Sequence, residues 1–213
     1  MIAKEGRIIL IPLFLVTFTL GIFAHAWEST PLSILYGVLG FFFLFSLNFF
    51  RDPQRVIPMD EKLIISPADG KVVRVEDIHD PNVGESAKIV SIFLNVFNVH
   101  ANRVPIEGIV ESVERKSGKF LAAFDHKASD ENEQVITVLV NDSGKYIIKQ
   151  IAGLIARRIL CYAEVGTKMH KGERLGFIRF GSRTDLIMPS HVAVQVELGQ
   201  KVIGGETIIG KIK

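Results

Sequence analysis

A Gly-Ser pair, Gly181 and Ser182, sits inside Arg179-Phe180-Gly181-Ser182-Arg183-Thr184-Asp185, only 31 residues before the last residue, Lys213. A turn is the plain reading of such a dipeptide. The sharper reading is a backbone that reacts. Gly181 offers an uncrowded carbonyl and tolerates geometry that other residues resist. Ser182 is a nucleophile if a base takes its proton, and imidazole is the usual base. The chain has six histidines. His25 lies in an apolar N-terminal region, and His79, His126 and His170 stand beside charged or turn residues. His100 differs. It follows Ile92-Phe93-Leu94-Asn95-Val96-Phe97-Asn98-Val99 and precedes Ala101-Asn102-Arg103-Val104-Pro105, which puts it at the end of a strand, positioned yet reachable. Taken alone, a histidine in that setting is more often structural than catalytic. Asp69, in Ser66-Pro67-Ala68-Asp69-Gly70, reads either as a turn aspartate or as a carboxylate that orients an imidazole.

Other chemistries find little support. The histidines are scattered and Cys161 is the single cysteine, so neither a metal pattern nor an intrachain disulfide is expected. The sequence contains no G-x-G-x-x-G, P-loop or G-x-S-x-G motif. A net charge of +2 gives no argument for a nucleic-acid partner. Arg157-Arg158 is either a solvated pair or a contact for a phosphate group.

The elements that must position these residues fall into two parts. The chain has 213 residues, 48% hydrophobic, with a mean hydropathy of +0.30, and the apolar excess lies at the front. From Ile8 to Phe50 the only charged residue is Glu28, which leaves two uncharged runs of 20 residues, Ile8–Trp27 and Pro31–Phe50. A helix rises about 1.5 Å per residue, so each run matches the roughly 30 Å hydrocarbon core. Lys4 and Arg7 precede the first run, and Arg51 and Arg55 follow the second. That arrangement predicts a transmembrane hairpin over residues 1–50 with both ends on the cytoplasmic side. A cleaved signal sequence is a weaker reading, because Phe23-Ala24-His25-Ala26 is a faint cleavage site and a second apolar run follows. Helices that dip into one leaflet are the other alternative. Pro53 and Pro58 mark residues 51–58 as a linker.

Residues 59–213 read as a β-rich domain. Strand patterns recur at 71–78, 87–96, 108–116, 133–141 and 146–153. Asn141-Asp142-Ser143-Gly144 predicts a hairpin turn, and residues 154–163 predict a short helix. Two lines resemble each other: Gly172-Glu173-Arg174-Leu175-Gly176-Phe177-Ile178 after Val165, and Gly205-Glu206-Thr207-Ile208-Ile209-Gly210-Lys211-Ile212 after Val202. Their rhythm of strand, Gly-Glu turn and strand predicts a mainly β, barrel-sandwich-like domain built from paired hairpins. It also admits a rival, a tethered carrier module with Lys127 in Asp125-His126-Lys127-Ala128 as its modified lysine. Lys127 lies in a polar stretch rather than at a tight hairpin tip, which weighs against that rival. A serine hydrolase that keeps Ser182 intact is the second rival.

Read together, FFRDPQR (49–55), SPADGKV (66–72), FLNVFNVHANRVP (93–105), QIAGLIARRI (150–159) and GERLGFIRFGSRTDLIMP (172–189) resemble the short prokaryotic branch of the phosphatidylserine decarboxylases. The resemblance implies a self-processing enzyme. Ser182 would attack the Gly181 carbonyl, and an N→O acyl shift would give an ester. Elimination would then split the chain and leave dehydroalanine, and hydrolysis with loss of ammonia would leave a covalent pyruvoyl group. Residues 1–181 would be the β chain and 182–213 the α chain, associated as a heterodimer with any further assembly left open. The implied reaction is decarboxylation of phosphatidylserine to phosphatidylethanolamine through a Schiff base with that pyruvoyl group, at the cell membrane on its cytoplasmic side, without pyridoxal phosphate or metal. The implied roles are Ser182 as nucleophile, His100 as base and proton donor, and Asp69 as its orienter. The longer bacterial branch carries a second histidine, usually given the self-cleavage role, where Arg103 stands here. Arg103 is therefore read as a substrate-binding group or a structural salt bridge. Phe97, Phe120 and Phe124 read as acyl-chain contacts or as core.

Overall fold

The computed structural model describes residues 1–118, 132–153, 158–179 and 182–213. The chain divides into two compact units, Met1–Gln54 and Arg55–Lys213. In the first, a 3-10 turn (Lys4–Gly6) leads into α1 (Arg7–Ala26) and then α2 (Thr30–Phe49). Pro31 occupies the first turn of α2, where its missing N–H is not needed. Glu28 takes φ 47° in the tight connection. Phe14 meets Phe43 with ring centroids 5.7 Å apart, and a side chain on Gly21 would collide with the Tyr36 ring, so the helices pack antiparallel. Ile8, Phe18, Phe41 and Leu44 stand outward and exposed. Thr17 satisfies its hydroxyl on the Leu13 carbonyl at 2.7 Å. Both helices are long and apolar enough to cross a membrane, and they suit membrane association.

Among the described residues, the regular structure of the second unit is all strand: β1 (Leu63–Ile65), β2 (Gly70–Asp80), β3 (Gly84–Leu94), β4 (Ala101–Arg103), β5 (Gly108–Lys116), β6 (Gln134–Asn141), β7 (Gly144–Ala152), β8 (Ile159–Cys161), β9 (Lys168–Met169), β10 (Arg174–Ile178), β11 (Ser182–Pro189), β12 (Val192–Val194), β13 (Lys201–Val202) and β14 (Ile208–Ile212). Eight of them form one curled sheet in the order β13-β2-β3-β11-β7-β6-β5-β9, and two small sheets run β1-β14-β12 and β4-β10-β8. The main core lies on one face of the large sheet, with Val72, Ile92, Leu94, Leu139, Tyr146, Ile148, Leu186 and Met188 all buried.

This pairing repeats itself about the β11–β7 boundary. Pro67-Ala68-Asp69-Gly70-Lys71-Val72 enters β2 as Pro105-Ile106-Glu107-Gly108-Ile109-Val110 enters β5. Each strand carries a register break directly after its valine, Val72/Arg74 and Val110/Ser112. Val72 N–H donates to the Gln200 carbonyl and Val110 N–H to that of Thr167, both at 2.9 Å. The sequence repeat seen at the Gly-Glu turns is thus the visible end of a larger one. In the second copy, β6 and β7 close through the two-residue turn Asp142–Ser143, with Asn141 paired to Gly144. In the first, Leu94 of β3 pairs with Ser182 of β11 in the same way, but the whole second copy leaves and returns between them. Ser182 therefore occupies a hairpin-closing position from which the hairpin turn has been replaced by residues 95–181.

Two expectations need correction. The Gly-Glu turns are not hairpins between paired strands. Each carries the chain out of the large sheet and into a small one, from β9 to β10 and from β13 to β14, because a barrel-sandwich closes by strands that change sheet at a bend. Gly172 and Gly205 make those bends at φ 81° and 87°, a region that Cβ-bearing residues avoid. The expected helix over 154–163 is not formed at its second half. Ile159–Cys161 is β8, paired with β10, since burying Ile159 against Ile178 outweighs local helix propensity. Residues 154–157 lie outside the described residues.

Candidate active site

β11 runs through the middle of the large sheet with all eight residues buried. Ser182 opens it, paired to Leu94 on one side and to Ala152 on the other. It is 0% exposed, and its Oγ has no hydrogen-bond partner among the described residues. Buried hydroxyls are nearly always satisfied, so an orphan asks for an explanation. Gly181 lies outside the described residues, as do Phe120, Phe124, His126, Lys127 and Arg157.

The connection to His100 follows from topology. The chain leaves β3 at Leu94, opposite Ser182, and reaches His100 six residues later. On the return path, Ile178 at the end of β10 donates its N–H to the His100 carbonyl at 3.2 Å, four residues before Ser182. Both residues therefore lie at the same end of the site. One repeat further along, the faces also meet. Thr184 shares the face of Ser182, because side chains alternate along a strand, and Asn102 Nδ2 donates to Thr184 Oγ1 at 3.1 Å. Gln150 Nε2 in turn donates to Asn102 Oδ1 at 2.8 Å. His100 is fully buried. Its Nδ1 bonds to the Asn98 carbonyl at 2.9 Å, which fixes the ring. The Phe177 ring lies against it, centroids 6.3 Å apart.

Asp69 has partners on two segments. Both carboxylate oxygens accept from Arg55 Nη2 at 2.9 Å, and Oδ1 also accepts the Gly204 N–H at 2.8 Å. The two side chains are only 10% and 15% exposed. These bonds tie Asp69 to the first residue of the β unit and to the β13–β14 turn, whereas the Nδ1 bond of His100 runs to its own turn. The corresponding residue in the second copy is Glu107, and its setting is different. It is exposed, and a hydrogen bond from Lys168, followed by one from His170, holds its carboxyl below the ordinary range. The first copy shelters its acid at 15% exposure, and the second leaves it open to solvent.

Arg103 donates to the Gly172 carbonyl at 3.2 Å and pairs across the strands with Arg174. The Arg174 guanidinium lies 5.6 Å above the Phe177 ring, so cation, aromatic ring and imidazole stand in sequence. Reading the sequence missed Arg55, Arg174 and the Asn102–Gln150–Thr184 network. Arg55 was visible only as a flanking positive charge. Arg174 opens a strand whose other four residues are buried, and its sequence neighbours give no sign of the ring it meets.

The phosphatidylserine decarboxylase family profile matches residues 42–210. The phosphatidylserine decarboxylase proenzyme of Cupriavidus pinatubonensis is 42% identical over the whole of this chain and 95% of its own length. That of Wolbachia sp. subsp. Brugia malayi is 44% identical over 99% of this chain and 91% of its own. That of Burkholderia multivorans is 47% identical over 80% of each. The chain belongs to the phosphatidylserine decarboxylase family and is an enzyme of that family.

Proposed function

We propose that this protein removes CO₂ from phosphatidylserine to give phosphatidylethanolamine, at a centre it makes by severing its own chain between Gly181 and Ser182. The observation that carries this reading is the Ser182 hydroxyl, fully buried and unpartnered among the described residues, at the head of a strand locked between β3 and β7. A pyruvoyl group derived from Ser182 suits that position, since the hydroxyl it would replace makes no hydrogen bond among the described residues that would be lost. Such a group supplies a carbonyl that takes the substrate's amine and accepts electrons as the carboxylate leaves.

The chain's own residues do the rest. Ser182 Oγ attacks the Gly181 carbonyl, and His100 takes its proton. In the decarboxylation, His100 returns a proton to the former α-carbon. Asp69, oriented by Arg55 and Gly204, is the site's carboxylate. Arg103 binds the anionic head group, a role its guanidinium fork suits. The α chain, 182–213, comprises β11 to β14. It stays with the β chain through ladders to β3, β7, β2 and β1. We read residues 1–50 as a hairpin in the cell membrane, 51–58 as a linker and 59–213 as the catalytic domain on the cytoplasmic side. Phosphatidylserine in that membrane is the partner.

Intact mass of purified protein tests this directly. Two chains are expected, the smaller starting at position 182 without a free amine. Ser182→Ala is expected to stay whole and to release no CO₂. A single unbroken chain that still decarboxylates its lipid overturns the reading.

A further inference from the structure

Gln150 is fully buried on β7. It stands opposite Thr184 of β11, and Ala152, two residues on, stands opposite Ser182. Residues two apart on a strand share a face, so Gln150 and Ser182 are diagonal neighbours, about 7–8 Å apart and within reach of a long side chain. One end of the Gln150 carboxamide is clamped. Its Nε2 donates to Asn102 Oδ1 at 2.8 Å and to the Leu160 carbonyl at 3.4 Å. That carbonyl can only accept, which identifies the atom beside it as the nitrogen. A side chain on Gly176 would collide with the same nitrogen and with the Leu160 carbonyl, so glycine there lets β10 close on the amide. The other end is bare. Gln150 Oε1 has no hydrogen-bond partner among the described residues, and neither has Ser182 Oγ. Two buried, unsatisfied oxygens thus stand on one face of two adjacent strands without bonding to each other. Native interiors rarely leave an acceptor empty without a functional reason.

The type of atom selects its partner. A carboxamide oxygen can only accept a hydrogen bond. In the head group of phosphatidylserine the carboxylate and the phosphate oxygens also only accept, and the amine is the group that donates. The amine is also the part of the substrate that must reach position 182. Resting on the function proposed above, we infer that Gln150 is a substrate-binding residue: its Oε1 accepts an N–H from the head-group amine and holds that nitrogen beside the reacting centre at position 182. A carboxamide suits this task better than a carboxylate. It orients the amine without adding negative charge, which would favour the ammonium form that cannot attack a carbonyl. The surroundings act in the same direction. Val135 stands opposite Gln150 on β6 and clusters with Ala152, Ile159 and Ile178, and an apolar setting disfavours the charged amine.

The test uses the full, matured protein in detergent and dihexanoyl-phosphatidylethanolamine, which keeps the amine and has no carboxylate to lose. Amine that condenses at position 182 is fixed with cyanoborohydride, and the mass gain of the 182–213 chain is followed against lipid concentration. Gln150→Leu is expected to need about tenfold more lipid for half of the full gain. Gln150→Met, which keeps the length of the side chain without the amide oxygen, covers the case in which leucine prevents maturation, and the same shift is expected of it. Gln150→Glu, which keeps an acceptor oxygen, is expected to recover part of the shift. An unchanged half-saturation, with or without a lower plateau, would mark Gln150 as structural and overturn the inference alone. A wild-type chain that stays uncut and gains no mass would overturn the proposed function, and this inference with it.

Discussion

Arg183 Nε donates to Asp185 Oδ1 at 2.6 Å, and the two side chains are 1% and 0% exposed. The pair begins one residue after Ser182 and points to the opposite face of β11. Arg183 also reaches across to β3, donating from Nη2 to Ser91 Oγ at 2.7 Å. Burying such a pair is seldom a net gain in stability over well-packed apolar residues, but breaking it leaves a bare charge in the interior. Arg183→Met and Asp185→Leu are each expected to destabilise the protein by about 3–5 kcal/mol, and the double variant to recover most of that loss. Thermal unfolding of the detergent-solubilised protein measures this. Additive losses in the double variant would show that the two residues are not coupled.

The Arg55–Asp69 bond makes a different prediction, about rate. Removing the guanidinium deletes the charge-assisted contacts to both oxygens of Asp69 and leaves the Gly204 N–H. A hydrogen bond to a charged group contributes about 1.5–3 kcal/mol, so Arg55→Ala is expected to slow chain splitting at least about tenfold. Arg55→Lys should recover part of that rate. The time course of the 1–181 fragment on a gel reads both. Splitting at the wild-type rate in Arg55→Ala would remove Asp69's orientation from the mechanism.

His100 is assigned two proton transfers, and they can be separated. A positioned general base or acid contributes about 10²–10⁴-fold. His100→Ala is expected to slow maturation by at least about a hundredfold. Protein co-expressed as separate 1–181 and 182–213 chains would not bypass formation of the prosthetic group. The cleaner experiment lets the variant mature slowly to completion and then measures turnover per cleaved chain. Normal turnover at that stage would confine His100 to self-cleavage, and normal maturation with lost turnover would confine it to decarboxylation.

Much of this was legible in the sequence because it depends on local rules. The two apolar runs gave both helices to within about a residue at each end, since length and the absence of charge decide a span. Asn141-Asp142-Ser143-Gly144 gave the hairpin, since Gly144 takes φ 125°. What escaped notice depends on distant pairing. Ile159–Cys161 alternates too briefly to signal a strand and becomes one only against β10. The repeat relating β2 to β5 is hidden because its visible likeness, Pro67-Ala68-Asp69-Gly70-Lys71-Val72 against Pro105-Ile106-Glu107-Gly108-Ile109-Val110, covers only six residues. The partner of Asp69 could not be read either, because Arg55 lies 14 residues away in a segment whose positive charge reads equally well as the flank of an apolar run.

Tyr146 supplies a pH prediction that is independent of the chemistry. It is fully buried at the start of β7, and its hydroxyl bonds to Ser143 Oγ at 2.7 Å. Burial pushes its phenol above the ordinary value, and the Ser143 bond pulls it partly back. A group whose folded-state value is raised contributes stability that is complete below the unfolded value, about 10 for tyrosine, and is lost as pH rises through the folded one. The melting temperature should therefore fall above about pH 10, and Tyr146→Phe should flatten that part of the decline. At neutral pH the same variant should lose about 1 kcal/mol for the missing hydrogen bond. Melting curves between about pH 8.5 and 11 separate the two effects. Identical alkaline slopes for both proteins would mean that some other group ionises first, and that the packing over the β6–β7 hairpin is looser than its burial implies.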